Sequence, residues 1–251
     1  MEPRYQGGIV NRGAATTADI DVGLRAYMLK VYNYMAVGML LTAVVALIVV
    51  NVPAISNLFY VEGVDALGRK ATQLKVLGWV ALFAPLVMVF VLSARIHKMS
   101  ASGAQTTFWV YAGLVVLMLA PILVIYTGMS IAKVFFMTAG MFGAMSLYGY
   151  TTKRDLSKLG AFLMMGLVGL LLAIVVNIFV GWEPLHFAIS VLGVLIFVGL
   201  TAYDTQKIKE MYVASDGGDT MTRKAIMGAL MLYLDFLNMF IFMLMLFGNR
   251  E

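Results

Sequence analysis

The chain has 251 residues, of which 62% are hydrophobic and 12% charged, with a net charge of +5 and no cysteine. No soluble core of that length needs so much apolar surface, so an integral membrane protein remains. Without cysteine, disulfides, thiol nucleophiles and thiolate metal sites are excluded, and the basic excess forms no face of recognition residues, so nucleic acid is not an expected partner.

A helix crossing a hydrocarbon layer of about 30 Å needs roughly 20 mostly apolar residues. Seven stretches meet that length: 31–50, 76–94, 107–126, 129–150, 160–180, 185–203 and 226–247. All are expected to be helices, because the bilayer holds no water to satisfy an open backbone. The expected fold is therefore an all-α, seven-span bundle over 31–251. It is preceded by a polar tail and interfacial helix start over 1–30. The tail lacks the apolar core and cleavage site of a secretory signal, so the first span is expected to stay in the mature protein. From Thr17 to Tyr34 the pattern reads as a helix start, with Thr17 or Asp19 as caps and Tyr27, Tyr32 and Tyr34 suited to the lipid interface. The connections, including 51–75, are too short for a separate domain. The 20 methionines suit gap filling, and the pairs Gly140 with Gly143 and Gly166 with Gly169 suggest close helix contact.

Orientation follows from the 18 basic residues. With the N-terminus inside, only Arg69, Lys70, Lys75, Lys133 and Arg250 fall outside, and the remaining thirteen lie on the cytoplasmic side. That bias predicts N-terminus in and C-terminus out. The bias and the absence of a transit peptide point to a bacterial cytoplasmic membrane. His97 and His186 fall at opposite ends, so a two-histidine metal site is not expected. Glu62, Asp65 and Glu183 are expected in outer loops as solvated charges, with the gathering of cations at an outer mouth as the lesser alternative.

Two acids remain within spans, where a charge is costly and rarely accidental. Asp204 closes span six in "GLTAYDTQKIKEMY", and Asp235 lies inside span seven in "MLYLDFLNMF". If helix six runs on to Tyr212, Asp204 is about 12 Å above its end, and Asp235 is about 13.5 Å past Ile226. Consecutive helices usually pack side by side, so the two carboxyls are expected at one level, facing each other. Asn238 continues the polar face one turn deeper, and Tyr203 and Tyr233 flank the acids as supporting polar groups. Two carboxylates in hydrogen-bond contact cannot both stay ionised cheaply, so the pair is expected to share a proton. When that proton leaves, repulsion drives the helices apart or recruits a cation. Ca2+ is the best suited, because hard carboxylate oxygens match it. Arg95, at the end of span two on the same side, is a candidate competitor for one acid, although an arginine there also reaches headgroups on its own account.

The "YD" of span six and "LYLDFLN" of span seven resemble the Bax inhibitor-1 family, in particular its bacterial members. The resemblance implies six helices around a central seventh and a pH-sensitive calcium leak. It also implies that Asp204 and Asp235 are the family's paired aspartates and that Arg95 is its span-two arginine, followed here by Ile96 and His97 where some relatives carry further basic residues. No cofactor is implied beyond Ca2+ as a permeant or transiently bound ion. A regulatory role beside a membrane protease is also allowed, with Met1 to Thr17 as the contact. The enzyme alternative is an aspartyl intramembrane protease, which likewise places two acids on adjacent helices. Its Gly-x-Gly-Asp motif is replaced here by Leu232, Tyr233, Leu234 and Asp235, and no Pro-Ala-Leu follows. A retinal receptor would need a lysine in span seven, and Ala225 to Asn249 holds none.

Overall fold

The computed structural model describes residues 17–64 and 70–249. The helix α1 (Thr17–Asn51) is followed by a short α2 (Pro53–Phe59), a hairpin of β1 (Tyr60–Val64) and β2 (Lys70–Leu74), and α3 (Val76–Arg95) with one 3-10 turn (Ile96–Lys98). Then come α4 (Ala101–Ile125), α5 (Gly128–Thr151), α6 (Ser157–Val180), α7 (Glu183–Glu210) and α8 (Gly218–Phe247). Seven of these, α1 and α3 to α8, are long and apolar enough to cross a membrane. The protein is an all-α polytopic membrane protein with one small hairpin between its first two spans.

Each spanning helix runs beyond its apolar stretch, because backbone bonds and caps set its ends. The helix start expected from Thr17 is continuous with the first span in α1, while the tail over 1–16 lies outside the described residues. Ser100 accepts the Gly103 N–H and Thr127 the Ser130 N–H at the heads of α4 and α5. Asp155 accepts from Ser157 N–H as α6 begins, and the Ser157 hydrogen bonds hold its carboxyl below the usual carboxylate range. Gly181 ends α6 at φ 65°, a left-handed value that favours glycine.

The connection over 51–75 has more structure than a loop. Its two strands pair antiparallel, with Tyr60 opposite Leu74 and Val64 opposite Lys70, and Lys75 N–H donates to the Phe59 carbonyl at 2.9 Å. Five-residue strands leave no trace in a hydropathy count made for spans of 20.

Helix α8 is the shared partner of the bundle. It packs against α1, α4, α5 and α7, while α3 lies on α4 and α6 lies on α7. Within the apolar windows of these helices 61% of α8 is buried, against 17% of α6. The central place expected for the seventh span is found.

The glycines divide differently from expectation. A Cβ at Gly140, Gly143 or Gly169 would meet nothing within 4 Å, and at Gly166 it would make only ordinary contact with Ile196. Close approach falls instead at Gly149, where a Cβ would lie 2.2 Å from the Ala202 carbonyl oxygen of α7, and at Gly193 and Gly228 in the α7–α8 seam. Lipid is as apolar as a helix interface, so spacing alone does not tell which small-residue face turns inward.

At one end of the bundle, cations cap the carbonyls of neighbouring helices. Lys209 donates to the Tyr150 carbonyl at 2.9 Å, Arg223 to Met99 at 3.0 Å, and Lys224 to Met211 at 2.9 Å and to Asp216 at 2.6 Å. Cations are favoured where helix C-termini leave carbonyls unpaired. Several residues of the positive bias are thus clamps between helices.

Candidate functional site

The register of α7 against α8 is set by small residues facing large ones. Toward the basic end, a Cβ on Gly228 would lie 2.9 Å from Ile208. Toward the other end, the Phe242 ring fills the space over Gly193 and stacks on Phe197 with centroids 5.9 Å apart. Between these contacts the side chains of Asp204 and Asp235 meet in hydrogen-bond contact. The two helices join through the turn 211–217, with α7 ending at Glu210 and α8 beginning at Gly218. Helix α8 therefore starts eight residues before the depth reference taken from its apolar stretch, yet the acids meet. Contact register, not distance from the apolar boundary, decides their level.

Asp235 is only 4% exposed, and its Oδ2 has no hydrogen-bond partner among the described residues. Asp204 is half-buried. Lys207, one turn along α7, acts on it electrostatically, and the Lys207 Nζ lies 5.8 Å over the Tyr203 ring. Arg95 is exposed at the end of α3 and makes no ion pair with either acid among the described residues. The supporting residues also point elsewhere. Asn238 donates its Nδ2 to the Leu234 carbonyl at 2.8 Å, a bond within its own helix. The Tyr203 ring lies against Gly160 of α6.

Tyr233 serves the opposite face of α8. Fully buried, it meets the Phe108 and Tyr111 rings of α4 edge-on, at centroid distances of 5.9 and 6.0 Å. Its hydroxyl lies 2.7 Å from Thr42 Oγ1, which donates to the Gly38 carbonyl at 2.8 Å and lies 3.1 Å from that of Ala112. Thr42 has one hydroxyl proton and directs it to a carbonyl, so Tyr233 is the donor in the pair. The same reasoning orders a chain beside Asp204. Thr205 donates to the Thr201 carbonyl at 2.7 Å, Ser146 donates to Thr205 at 3.1 Å, and Tyr32 donates to Ser146. Thr42, Ser146 and Thr205 are not among the residues expected from sequence, where charges and the polar neighbours of the two acids carried the reading. Hydroxyls inside apolar spans were the available signal.

These features define a seven-span membrane protein in which a buried carboxyl of the central helix meets a half-buried carboxyl of its neighbour. The chain belongs to the Bax inhibitor-1 family: the family model described as inhibitor of apoptosis-promoting Bax1 matches residues 24–251. The inner membrane protein YbhL of Escherichia coli is 47% identical over 231 residues, covering 91% of this chain and 94% of its own. An uncharacterized protein of Rickettsia prowazekii is 44% identical over 231 residues, covering 92% of each chain. Another, of Caulobacter vibrioides, is 43% identical over 235 residues, also covering 92% of each.

Proposed function

We propose that the protein is a pH-sensitive cation leak, with Ca2+ as the ion, gated by the carboxyl pair of Asp204 and Asp235. The observation that carries this reading is the contact of the two carboxyls with Asp235 at 4% exposure. Two charges placed so closely in a low dielectric repel strongly, so one shared proton holds the pair together. When pH rises and that proton leaves, the pair either separates or takes up a cation through its four oxygens. The seam between α7 and α8 is where the force acts, because on its other face α8 is held to α1 and α4 by Tyr233, Thr42 and the Ala112 carbonyl. Arg95 lies exposed at the basic end and, beside Lys207, is a cation available to an acid released from the pair.

The positive bias supports a cytoplasmic side for the basic end, and the name of the Escherichia coli relative supports the bacterial inner membrane. A catalytic role is disfavoured by packing: Leu232 and Leu234 stand where a protease would carry glycines, and with Leu232 fully buried and Leu234 partly buried, side chains fill the space a substrate backbone would need beside Asp235. A role beside a membrane protease is compatible with conduction; the tail assigned to it lies outside the described residues.

The test is Ca2+ flux in proteoliposomes stepped across pH. Wild type should pass Ca2+ with a pH-dependent rate, and Asp204→Asn and Asp235→Asn should each flatten that dependence. Flux no greater than in protein-free liposomes, or variants with the wild-type profile, would refute the reading.

A further inference from the structure

The α7–α8 seam ends, opposite the basic end, in a cavity of about 270 Å³ lined by Glu183, His186, Phe187 and Ser190 of α7 and by Met245, Leu246 and Gly248 at the close of α8. Three observations bear on what it would hold. Glu183 and His186 stand three residues apart on one helix, a spacing that puts two side chains on one face and that recurs where a carboxylate and an imidazole share a metal. Neither side chain makes a hydrogen bond or ion pair with another described residue through its carboxylate or imidazole, and Glu183 is exposed. Ser190 is 1% exposed and turned back onto the His186 carbonyl at 2.9 Å, so it fixes the backbone of that turn and leaves the imidazole free.

The second wall is the C-terminal end of α8. Gly248 N–H donates to the Leu244 carbonyl at 2.8 Å, but the next N–H, that of Asn249, leaves the ladder and donates to Ser130 Oγ at 2.8 Å. The helical ladder therefore stops at Leu244, and the last turn presents the negative end of the helix dipole to the cavity. On the opposite wall the Glu183 carboxylate offsets the positive end of α7, which would otherwise repel a cation. A carboxylate, an imidazole and a helix C-terminus favour a divalent cation, and the imidazole favours borderline metals such as Zn2+ over Ca2+.

We propose that this cavity is a binding site for a borderline divalent cation, held by Glu183 and His186, distinct from the carboxyl pair. It stands on its own geometry and does not depend on conduction.

The test uses the full chain, purified in nanodiscs and titrated with ZnCl2 by calorimetry. Wild type should bind one Zn2+. His186→Ala and Glu183→Gln should each weaken binding, by about tenfold or more for the histidine, as expected for a lost ligand. His97→Ala and the double variant Asp204→Asn with Asp235→Asn should bind within twofold of wild type. His186→Ala and Glu183→Gln should keep the wild-type elution volume and thermal midpoint, as expected for a half-buried and an exposed position. No binding by wild type, undiminished binding by His186→Ala or Glu183→Gln, or loss of binding in His97→Ala or in the double aspartate variant would overturn the proposal. A leak that fails while these binding results hold would refute the conduction reading alone.

Discussion

Asp235 and Tyr233 are two residues apart and face opposite partners, so one short stretch of α8 carries both the group that would drive the seam open and the group that holds the other side. Their chemistry predicts different mutational behaviour. Tyr233→Phe removes one hydrogen bond while Thr42 keeps its carbonyls, which costs about 1 kcal/mol. Thr42→Val leaves the Tyr233 hydroxyl buried without a partner and should cost more, about 2 kcal/mol. Reversible unfolding in mixed micelles orders the two, and an equal or reversed order would contradict the donor assignment. Arg95→Gln should leave that stability within about 0.5 kcal/mol of wild type, because the side chain is exposed. The same variant should shift the pH at which flux changes, if Arg95 receives a released acid.

Among the elements, α5 and α7 approach most closely where Gly149 meets the Ala202 backbone. Gly149→Ala puts a methyl group against a carbonyl oxygen that cannot rotate away, so the helices must part, at about 1–3 kcal/mol. Gly140→Ala meets open space and gains helix propensity, so it should be neutral or stabilising by up to about 1 kcal/mol. A destabilised Gly140→Ala beside an unaffected Gly149→Ala would contradict the packing described. The contrast also marks what the sequence makes legible. Spans are readable because 20 apolar residues are a gross signal, and the acids are readable because charge inside a span is rare. Which glycine faces inward is not readable, since lipid and protein present the same apolar surface to a helix. The partners of Asn238 and Tyr203 are not readable for a related reason: adjacency to an acid in sequence does not fix direction, and the side chains turn to their own helix and to α6 respectively.

At the scale of the molecule, one bundle end is tied by cations on carbonyls and the other by the bond from Thr127 N–H to the Asn249 carbonyl at 3.0 Å. Family membership explains why the span count and the paired acids could be read together, while the hairpin over 60–74 and the hydroxyl chain from Tyr32 to Thr201 depend on contacts that no local pattern announces. A chain without cysteine makes its orientation directly testable. In intact cells a membrane-impermeant maleimide should label Asn57→Cys, on the hairpin side, and should label Lys153→Cys, on the basic side, only after permeabilisation. The reverse pattern would invert the topology.

The proposed gate rests on one proton held between two carboxyls, and infrared difference spectroscopy of the full protein in lipid reads that proton most directly. Wild type should show a protonated-carboxyl stretch that disappears as pH is raised, and Asp204→Asn and Asp235→Asn should each remove or displace it. A wild-type spectrum without that band, or one left unchanged by both substitutions, would contradict the shared proton and the gate built on it.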